Sequence, residues 1–265
     1  MCWATEQRSA TRRPSQPPPK RPAILRKTAC DRPQFLIDCR RLTQLDGPPT
    51  QFRPDDTRAT YDTVARRYAD EVAGELDGKP FDRRFLDRFA AKVKDQGHVV
   101  ELGAGPGHVA AYLGGRGVDV SALDLSGAMV DEAKRLFPGL QAVVGDMLDL
   151  PYANGSLAGV VAFYSIIHFD DAQLEQAFNE MTRVLRTGGY AAIAFHVGDE
   201  TVHREQWWDM PVVLDARFLP VELVTRLLEK AGLEVESVEE REPYAPDVEY
   251  QSRRAYIVAR EPFDV

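Results

Sequence analysis

The sequence predicts an α/β protein built on a doubly wound, seven-stranded sheet whose last strand runs antiparallel, preceded by additional helices. Three observations carry this prediction. From Gly97 onward, short continuous apolar runs alternate with amphipathic segments, the pattern of parallel strands covered by helices on both faces. One of these runs feeds directly into a glycine-rich turn that opens a helix. The last two runs follow one another with no helical segment between them, so the final strand is expected to enter antiparallel.

The elements follow in order. Residues 1–54 hold half of the chain's 18 prolines and carry a net charge of +6 up to residue 50, against −14 for the remainder. Such a stretch buries too little apolar surface to offset chain entropy and is expected to be a disordered, basic, Pro-rich tail, with a short ordered piece around Phe35-Leu-Ile37. Its basic character raises a transit peptide as an alternative, although the prolines would break the amphipathic helix that such a signal needs. The catalytic domain is expected over 55–265.

Tyr61, Val64, Ala65, Tyr68 and Val72 fall at spacings of three and four, one face of a helix starting near Thr57. Phe81, Phe85, Leu86 and Phe89 repeat the signal in a second helix ending near Lys94. Strands are predicted at 98–102, 118–123, 140–144, 159–164 and 190–197. Helices are predicted at 107–114, 126–137 and 171–185, the last with Leu174, Ala177, Phe178, Met181 and Leu185 on one face. A helix at 220–231 and strands at 233–239 and 254–259 complete the domain. Residues 198–220 read as an insertion, a long connection whose tryptophans suggest a substrate lid or a partner surface.

Composition narrows the function. Cys2, Cys30 and Cys39 all precede the domain, which therefore has no thiol nucleophile and no Cys metal site. A reducing cytoplasm fits this distribution. The acidic body argues against a nucleic-acid substrate, because phosphate backbones are met by clustered Lys and Arg. No run approaches the roughly 18 apolar residues that cross a bilayer. His196 and His203 raise a metal site, but no close carboxylate pattern accompanies them, so no metal is expected.

The strongest motif is Val99-Val-Glu-Leu-Gly-Ala-Gly-Pro-Gly-His108. Glycines at 103, 105 and 107 let the backbone turn tightly and let a ligand approach without meeting a Cβ, and the following helix offers free N–H groups. A dinucleotide fingerprint wants G-x-G-x-x-G, and position 108 is His. The pattern here is acidic-x-G-x-G-x-G, beginning at Glu101. Asp124 ends the second strand, where a carboxylate can accept both hydroxyls of a ribose; a helix cap is the competing reading, which Ser126 fills better. In Val144-Gly-Asp-Met-Leu148, Asp146 can take an adenine amino group while Met147 packs on the ring, or Asp146 can simply cap its own turn.

Together these motifs resemble the class I S-adenosylmethionine-dependent methyltransferases, particularly their small-molecule branch, over roughly residues 57–260. The Tyr61–Tyr68 helix and the Leu185-Arg-Thr-Gly-Gly189 turn share the resemblance. It implies a Rossmann-like sheet order, S-adenosylmethionine as methyl donor and S-adenosylhomocysteine as product. It assigns the methionine portion to Glu101, Gly103, Gly105 and Gly107, the ribose to Asp124, and the adenine to Asp146 and Met147. Leu125, Met129 and Phe163 join the cofactor site, and Phe163-Tyr-Ser-Ile-Ile-His168 faces the sulfonium. Tyr61 and Tyr68 either close over the cofactor or pack as ordinary core. Tyr164 and His168 lie where an acceptor would meet the methyl group, with His168 as a candidate general base. Tyr68, His196, Trp207 and Arg254 are candidates on the substrate side, where Arg254 either anchors a carboxylate or belongs to a solvated basic patch.

The expected reaction is methyl transfer to O, N or C of a small molecule, by a monomer or homodimer. A nicotinamide-dependent oxidoreductase would reuse the glycine loop and Asp124, but has the wrong spacing at His108 and no Tyr-x-x-x-Lys pair. A non-catalytic cofactor-binding module acting through a partner is the third reading.

Overall fold

The computed structural model describes residues 52–263, all within the compact unit Phe35–Val265. Of the predicted tail only residues 52–54 are described, and the expectation for 1–51 lies outside the described residues. Helix α1 spans Pro54–Val72, with Pro54 at its first position and Asp55 and Asp56 in the first turn, where the helix dipole welcomes acids. A 3₁₀ turn at Glu75–Gly78 leads into α2, Pro80–Val93.

The parallel strands are β1 Val99–Leu102, β2 Val120–Asp124, β3 Gln141–Val144, β4 Leu157–Phe163 and β5 Leu185–His196. Helices α3 His108–Gly114, α4 Gly127–Leu136 and α5 Asp171–Val184 connect them. After a two-stranded hairpin, β6 Thr201–Trp207 and β7 Met210–Arg217, come α6 Val221–Lys230, β8 Glu234–Arg241 and β9 Arg254–Arg260. The main sheet has the order β3-β2-β1-β4-β5-β9-β8. Strand β9 is antiparallel to both β5 and β8, as the missing crossover helix predicts.

Adjacent residues feed opposite cores, the signature of a sheet buried on both faces. Val100, Val160 and Ile193 pack with Leu174, Phe178 and Met181 of α5 and with Val224 and Leu228 of α6. Val99, Val161 and Ala194 pack with Phe85 and Phe89 of α2 and Leu113 of α3. The strand order reverses between β1 and β4, and ligands of open α/β sheets bind beyond the strand ends at such a point.

Two sequence expectations gain detail. The insertion at 198–220 holds the β6–β7 hairpin, in which Trp207 pairs with Met210 across a two-residue turn. Trp208 and Asp209 both have positive φ, 52° and 64°, a turn conformation normally announced by Gly or Asn. Trp207 and Trp208 are half-buried rather than exposed. Second, the Leu185–Gly189 turn lies inside a long β5, where pairing with β4 jumps from Leu157↔Leu185 to Gly159↔Tyr190. Gly188, at φ 72°, absorbs that irregularity.

Candidate active site

The glycine loop joins β1 to α3 at the point where the strand order reverses. Gly103, Gly105 and Gly107 all have positive φ, 65°, 53° and 74°. A Cβ on Gly103 would stand 2.4 Å from Cβ of Ser165, and one on Gly107 would stand 2.7 Å from Leu140 Cδ2. Gly103 thus lets the ends of β1 and β4 touch, and Ser165 Oγ donates to the Leu102 carbonyl across the same gap at 2.7 Å. Gly107 lets the loop meet the residues that lead into β3. Gly103→Ala combines a left-handed backbone with overpacking, so a loss of about 2 to 4 kcal/mol in urea unfolding is expected. Ser165→Gly in the same chain should restore part of it.

Two carboxylates hold the loop from below. Glu101 is buried, and its Oε2 accepts from the Ala110 N–H in the first turn of α3 at 2.6 Å. Burial pushes its pKa up to about 7. Asp124, at the end of β2, accepts from Gly105 N at 2.6 Å with Oδ2 and from Ser126 N at 2.8 Å with Oδ1. Burial pushes Asp124 up to about 6. Ser126 caps α4 by accepting from Met129 N, so the helix does not need Asp124 as its cap.

Asp146 and Met147 stand at the end of β3. Asp146 Oδ1 accepts from Leu148 N, the local turn-capping bond. Met147 is buried, and its Cε is 3.5 Å from the position of a Cβ on Gly103, so it borders the loop from the side. Leu125 is half-buried beside Asp124. Met129 is fully buried and packs under α1 with Val64 and Val212. Phe163 is buried and meets Tyr164 edge-on at 5.1 Å.

The cover comes from α1 and the hairpin. Tyr61, Tyr68 and Trp207 form an edge-to-face group with centroids 5.6 to 6.1 Å apart, and Trp207 stacks on Trp208 at 4.8 Å. The Tyr68 ring reaches within 3.7 Å of a Cβ placed on Gly105, which sets it over the loop. Thr60 locks the two segments together: its hydroxyl donates to the Val213 carbonyl at 2.7 Å and accepts from Val213 N–H at 3.1 Å. Asp62 ties α1 to α4, accepting from Ser126 Oγ at 2.5 Å and from Ala128 N at 3.2 Å. Neither Thr60 nor Asp62 carries a sequence signal of its own, because each finds its partner more than 60 residues away.

His168 lies in a short 3₁₀ turn, Ile166–His168, and is buried. Its Nδ1 is 2.9 Å from the Asp215 carbonyl of β7 and its Nε2 is 2.8 Å from the Tyr61 hydroxyl. Burial lowers its pKa below the usual imidazole value, so the ring is neutral near pH 7. Tyr164 has a left-handed φ of 57° and hydrogen-bonds to Tyr256 through its hydroxyl at 2.9 Å. Burial holds the Tyr164 phenol well above its ordinary pKa.

Beyond Tyr164 lies a buried ionic cluster. Lys79, Arg241 and Arg254 face Glu75, Asp82 and Glu249, with Arg241 donating to both Asp82 and Glu249. The reading of Arg254 as part of a solvated basic patch is corrected here: it is 2% exposed, and its guanidinium donates to the Ser252 and Tyr250 carbonyls. Its exposed neighbour Arg253 fills the surface role, paired with Glu240. His196 ring-stacks near Tyr164 at 5.0 Å and bonds Ser252 Oγ through Nδ1 at 2.7 Å. Burial and the nearby Arg254 hold it well below its ordinary pKa. His203 instead pairs with Asp215 on the hairpin, and among the described residues no three His, Cys, Asp or Glu side chains group to hold a metal. Among the same residues no helix is long and apolar enough to cross a membrane.

This geometry is that of a candidate ligand site at the strand-order reversal of a Rossmann-like sheet. A buried carboxylate with unused lone pairs on both oxygens, a glycine loop free of Cβ atoms and an aromatic cover together suit a ribose joined to a planar base and a flexible tail. The family described as "Methyltransferase domain" matches residues 99–189, the span from β1 into β5. The demethylmenaquinone methyltransferase of Beutenbergia cavernae is 36% identical over 143 residues, covering 53% of this chain and 58% of that protein. The shared stretch therefore spans little more than half of that relative. Geranyl diphosphate C-methyltransferase from Streptomyces coelicolor A3(2) superposes with a TM-score of 0.59 at 15% identity, covering 81% of this chain and 99% of the other. The [4+2]-cyclase SpnF superposes at 0.61 with 19% identity, covering 82% and 99%. Both superpositions show the fold alone; the family match makes residues 99–189 similar to a methyltransferase domain, in keeping with the curated relative and with the motifs of the site.

Asp124 also sets an expected pH dependence. A carboxylate whose pKa is raised to about 6 by burial is mostly protonated at pH 5 and mostly ionised at pH 7. Ribose hydroxyls bound at this carboxylate would donate to its ionised form, so affinity for S-adenosylhomocysteine is expected to rise about tenfold from pH 5 to pH 7. Calorimetric titration at the two pH values checks this, and Asp124→Asn should remove the Asp124 contribution.

Proposed function

We propose that this protein transfers a methyl group from S-adenosylmethionine to a small-molecule acceptor, releasing S-adenosylhomocysteine. The observation that carries the reading is the Asp124 carboxylate at the strand-order reversal, buried yet paired only with backbone N–H groups of the glycine loop and the α4 cap. Glu101, Gly103, Gly105 and Gly107 would hold the methionine portion, Asp146 and Met147 the adenine, and Leu125, Phe163 and Tyr61 the walls around them. Met129 supports the site from beneath rather than touching the ligand, because α1 covers it.

S-adenosylmethionine supplies an electrophilic methyl on a sulfonium, so the protein's task is chiefly alignment. Tyr164 and His168 form the floor on the acceptor side, with Tyr164 a hydrogen-bonding phenol rather than a base, given its raised pKa. Tyr68, Trp207 and His196 line the acceptor's approach, and Arg254 holds the Tyr250–Ser252 segment behind it.

A small acceptor is supported by the acidic body of the chain and by a relative whose name carries demethylmenaquinone. A nucleic acid is not expected as substrate. A cytoplasmic monomer or homodimer is the working state we infer. The test is incubation of the full chain with methyl-labelled S-adenosylmethionine and a metabolite extract, alongside titrations with S-adenosylhomocysteine and NADH. Label transferred to an extract component is expected. Binding of NADH alone would sink the reading, and binding of S-adenosylhomocysteine without transfer to any acceptor would leave a non-catalytic module.

A further inference from the structure

The fold brings together three groups that lie far apart in the chain: the Tyr61 phenol on α1, the His168 imidazole after β4, and the Asp215 backbone on β7. The contacts are 2.8 Å from the Tyr61 hydroxyl to Nε2 and 2.9 Å from Nδ1 to the Asp215 carbonyl. A carbonyl oxygen can only accept, so Nδ1 of His168 carries the ring proton. Nε2 is then a bare lone pair, and the hydrogen bond to Tyr61 has one direction: the phenol donates to the ring. Tyr61, having given its single proton to that bond, keeps its remaining lone pairs free to accept.

We propose that Tyr61 relays the acceptor's proton to His168, and that the β6–β7 hairpin, through the Asp215 carbonyl, holds His168 in the tautomer able to receive it. The proposal rests on the methyl-transfer reading and narrows it, because a built proton path serves an acceptor that carries a proton on the methylated atom. Acceptors methylated at oxygen, nitrogen or carbon can all lose a proton; among them the proposal commits to a hydroxyl compound, a phenol or enol, whose O–H can donate directly to the Tyr61 oxygen.

The step balances. The acceptor oxygen takes the methyl group, and the electron pair of the broken carbon–sulfur bond stays on sulfur. The acceptor's proton goes to the Tyr61 oxygen as Tyr61's own proton goes to Nε2. Tyr61 ends as the phenol it began as, and His168 ends as an imidazolium whose Nδ1–H still rests on the Asp215 carbonyl. The positive charge lost at sulfur reappears on the ring.

The surroundings of both groups agree with this starting state. Burial lowers the His168 pKa and keeps the ring neutral, while burial and the nearby Asp124 carboxylate keep Tyr61 protonated. Of the titratable groups around them, the Asp215 carboxylate is turned to His203 at 2.7 Å, and Arg217 is turned to the Phe169 carbonyl and Asp171. Tyr68 meets the Tyr61 ring edge-on. The arrangement also explains why the hairpin belongs to the site: its backbone, and not a side chain, sets which nitrogen is free.

The test uses the full chain and a hydroxyl acceptor recovered from the extract screen. In His168→Asn the amide can keep the bond to the Asp215 carbonyl but offers no basic nitrogen. In Tyr61→Phe the ring packing stays and the hydroxyl goes. Each should slow single-turnover methyl transfer about 100-fold, the usual scale for a positioned acid–base group. Each should also abolish the fall in rate that the wild type shows as pH drops through the His168 titration. The double variant should be no slower than the slower single one, because the two residues act in series. Nitrogen-15 spectra of the imidazole should show the proton on Nδ1. A proton on Nε2, an unchanged pH profile in His168→Asn, or additive losses in the double variant would overturn the relay. So would an extract screen that yields only acceptors methylated at carbon or on a carboxylate. A wild type that methylates nothing fails at the reading beneath, and is told apart by its inactivity before any substitution.

Discussion

Asp124→Ala is expected to weaken S-adenosylhomocysteine binding at pH 7 by at least about 100-fold. Hydrogen bonds to a charged group each contribute about 1.5 to 3 kcal/mol, and under the proposed reading the carboxylate would accept two from a ribose. The same change strands the N–H groups of Gly105 and Ser126, which now bond its two oxygens. The glycine loop should therefore loosen as well as lose its ligand anchor. Asp146→Ala serves as the comparison: one oxygen already caps its own turn through Leu148 N, and a loss nearer tenfold is expected there. Titration calorimetry on the two variants reads the difference. Equal losses would mean that Asp124 has no special place in nucleoside recognition.

The second large effect concerns stability. Arg241 donates to Asp82 at 2.8 Å, to both oxygens of Glu249 and to the Tyr256 hydroxyl at 3.0 Å, while Asp82 and Glu249 are almost wholly buried. Removing one partner of a buried ion pair leaves uncompensated charge and costs about 3 to 5 kcal/mol. Arg241→Met should lower the midpoint of thermal unfolding by about 10 °C for a domain of this size. Asp82 shows what happens to the abandoned acid, since burial already raises its pKa even with the arginine present. Adding Asp82→Asn to Arg241→Met should recover part of the loss, because Glu249 keeps Lys79 and Arg254 as partners while the stranded Asp82 charge is removed. A scan that finds Arg241→Met within a degree or two of wild type would show that the cluster contributes nothing net.

Much of the sheet was legible because its signals are local. Continuous apolar runs mark β1, β2, β4, β5 and β9, and spacings of three and four mark α1, α2 and α5, with boundaries within a few residues of those observed. Gly103, Gly105 and Gly107 announce their backbone conformation by having no Cβ, and all three occupy positive φ. The β6–β7 hairpin was not legible because its turn uses Trp208 and Asp209 where a glycine would have signalled it. The ionic cluster escaped for a different reason. Lys79, Asp82, Arg241 and Glu249 each look like an ordinary surface charge, and only the tertiary fold collects them from two ends of the domain. Arg254 was misread as solvated on the same ground. His168 could be nominated from its place after β4, but its partners Tyr61 and Asp215 lie 107 and 47 residues away. The chemistry of a histidine is set by such partners, and sequence distance hides them.

The reciprocal bonds between Thr60 and Val213 carry a consequence for the order of assembly. Their partners are 153 residues apart, so α1 leaves the ribosome long before the hairpin that covers it exists. At the usual pace of synthesis, roughly 5 to 20 residues per second, Tyr61, Val64 and Tyr68 wait several seconds with an apolar face unpartnered. The floor of the site, from β1 to Met147, is by then already out of the tunnel. The nascent chain thus passes through a stage with a formed nucleoside floor and no roof, and a ligand present during translation would meet an open cleft before a closed one.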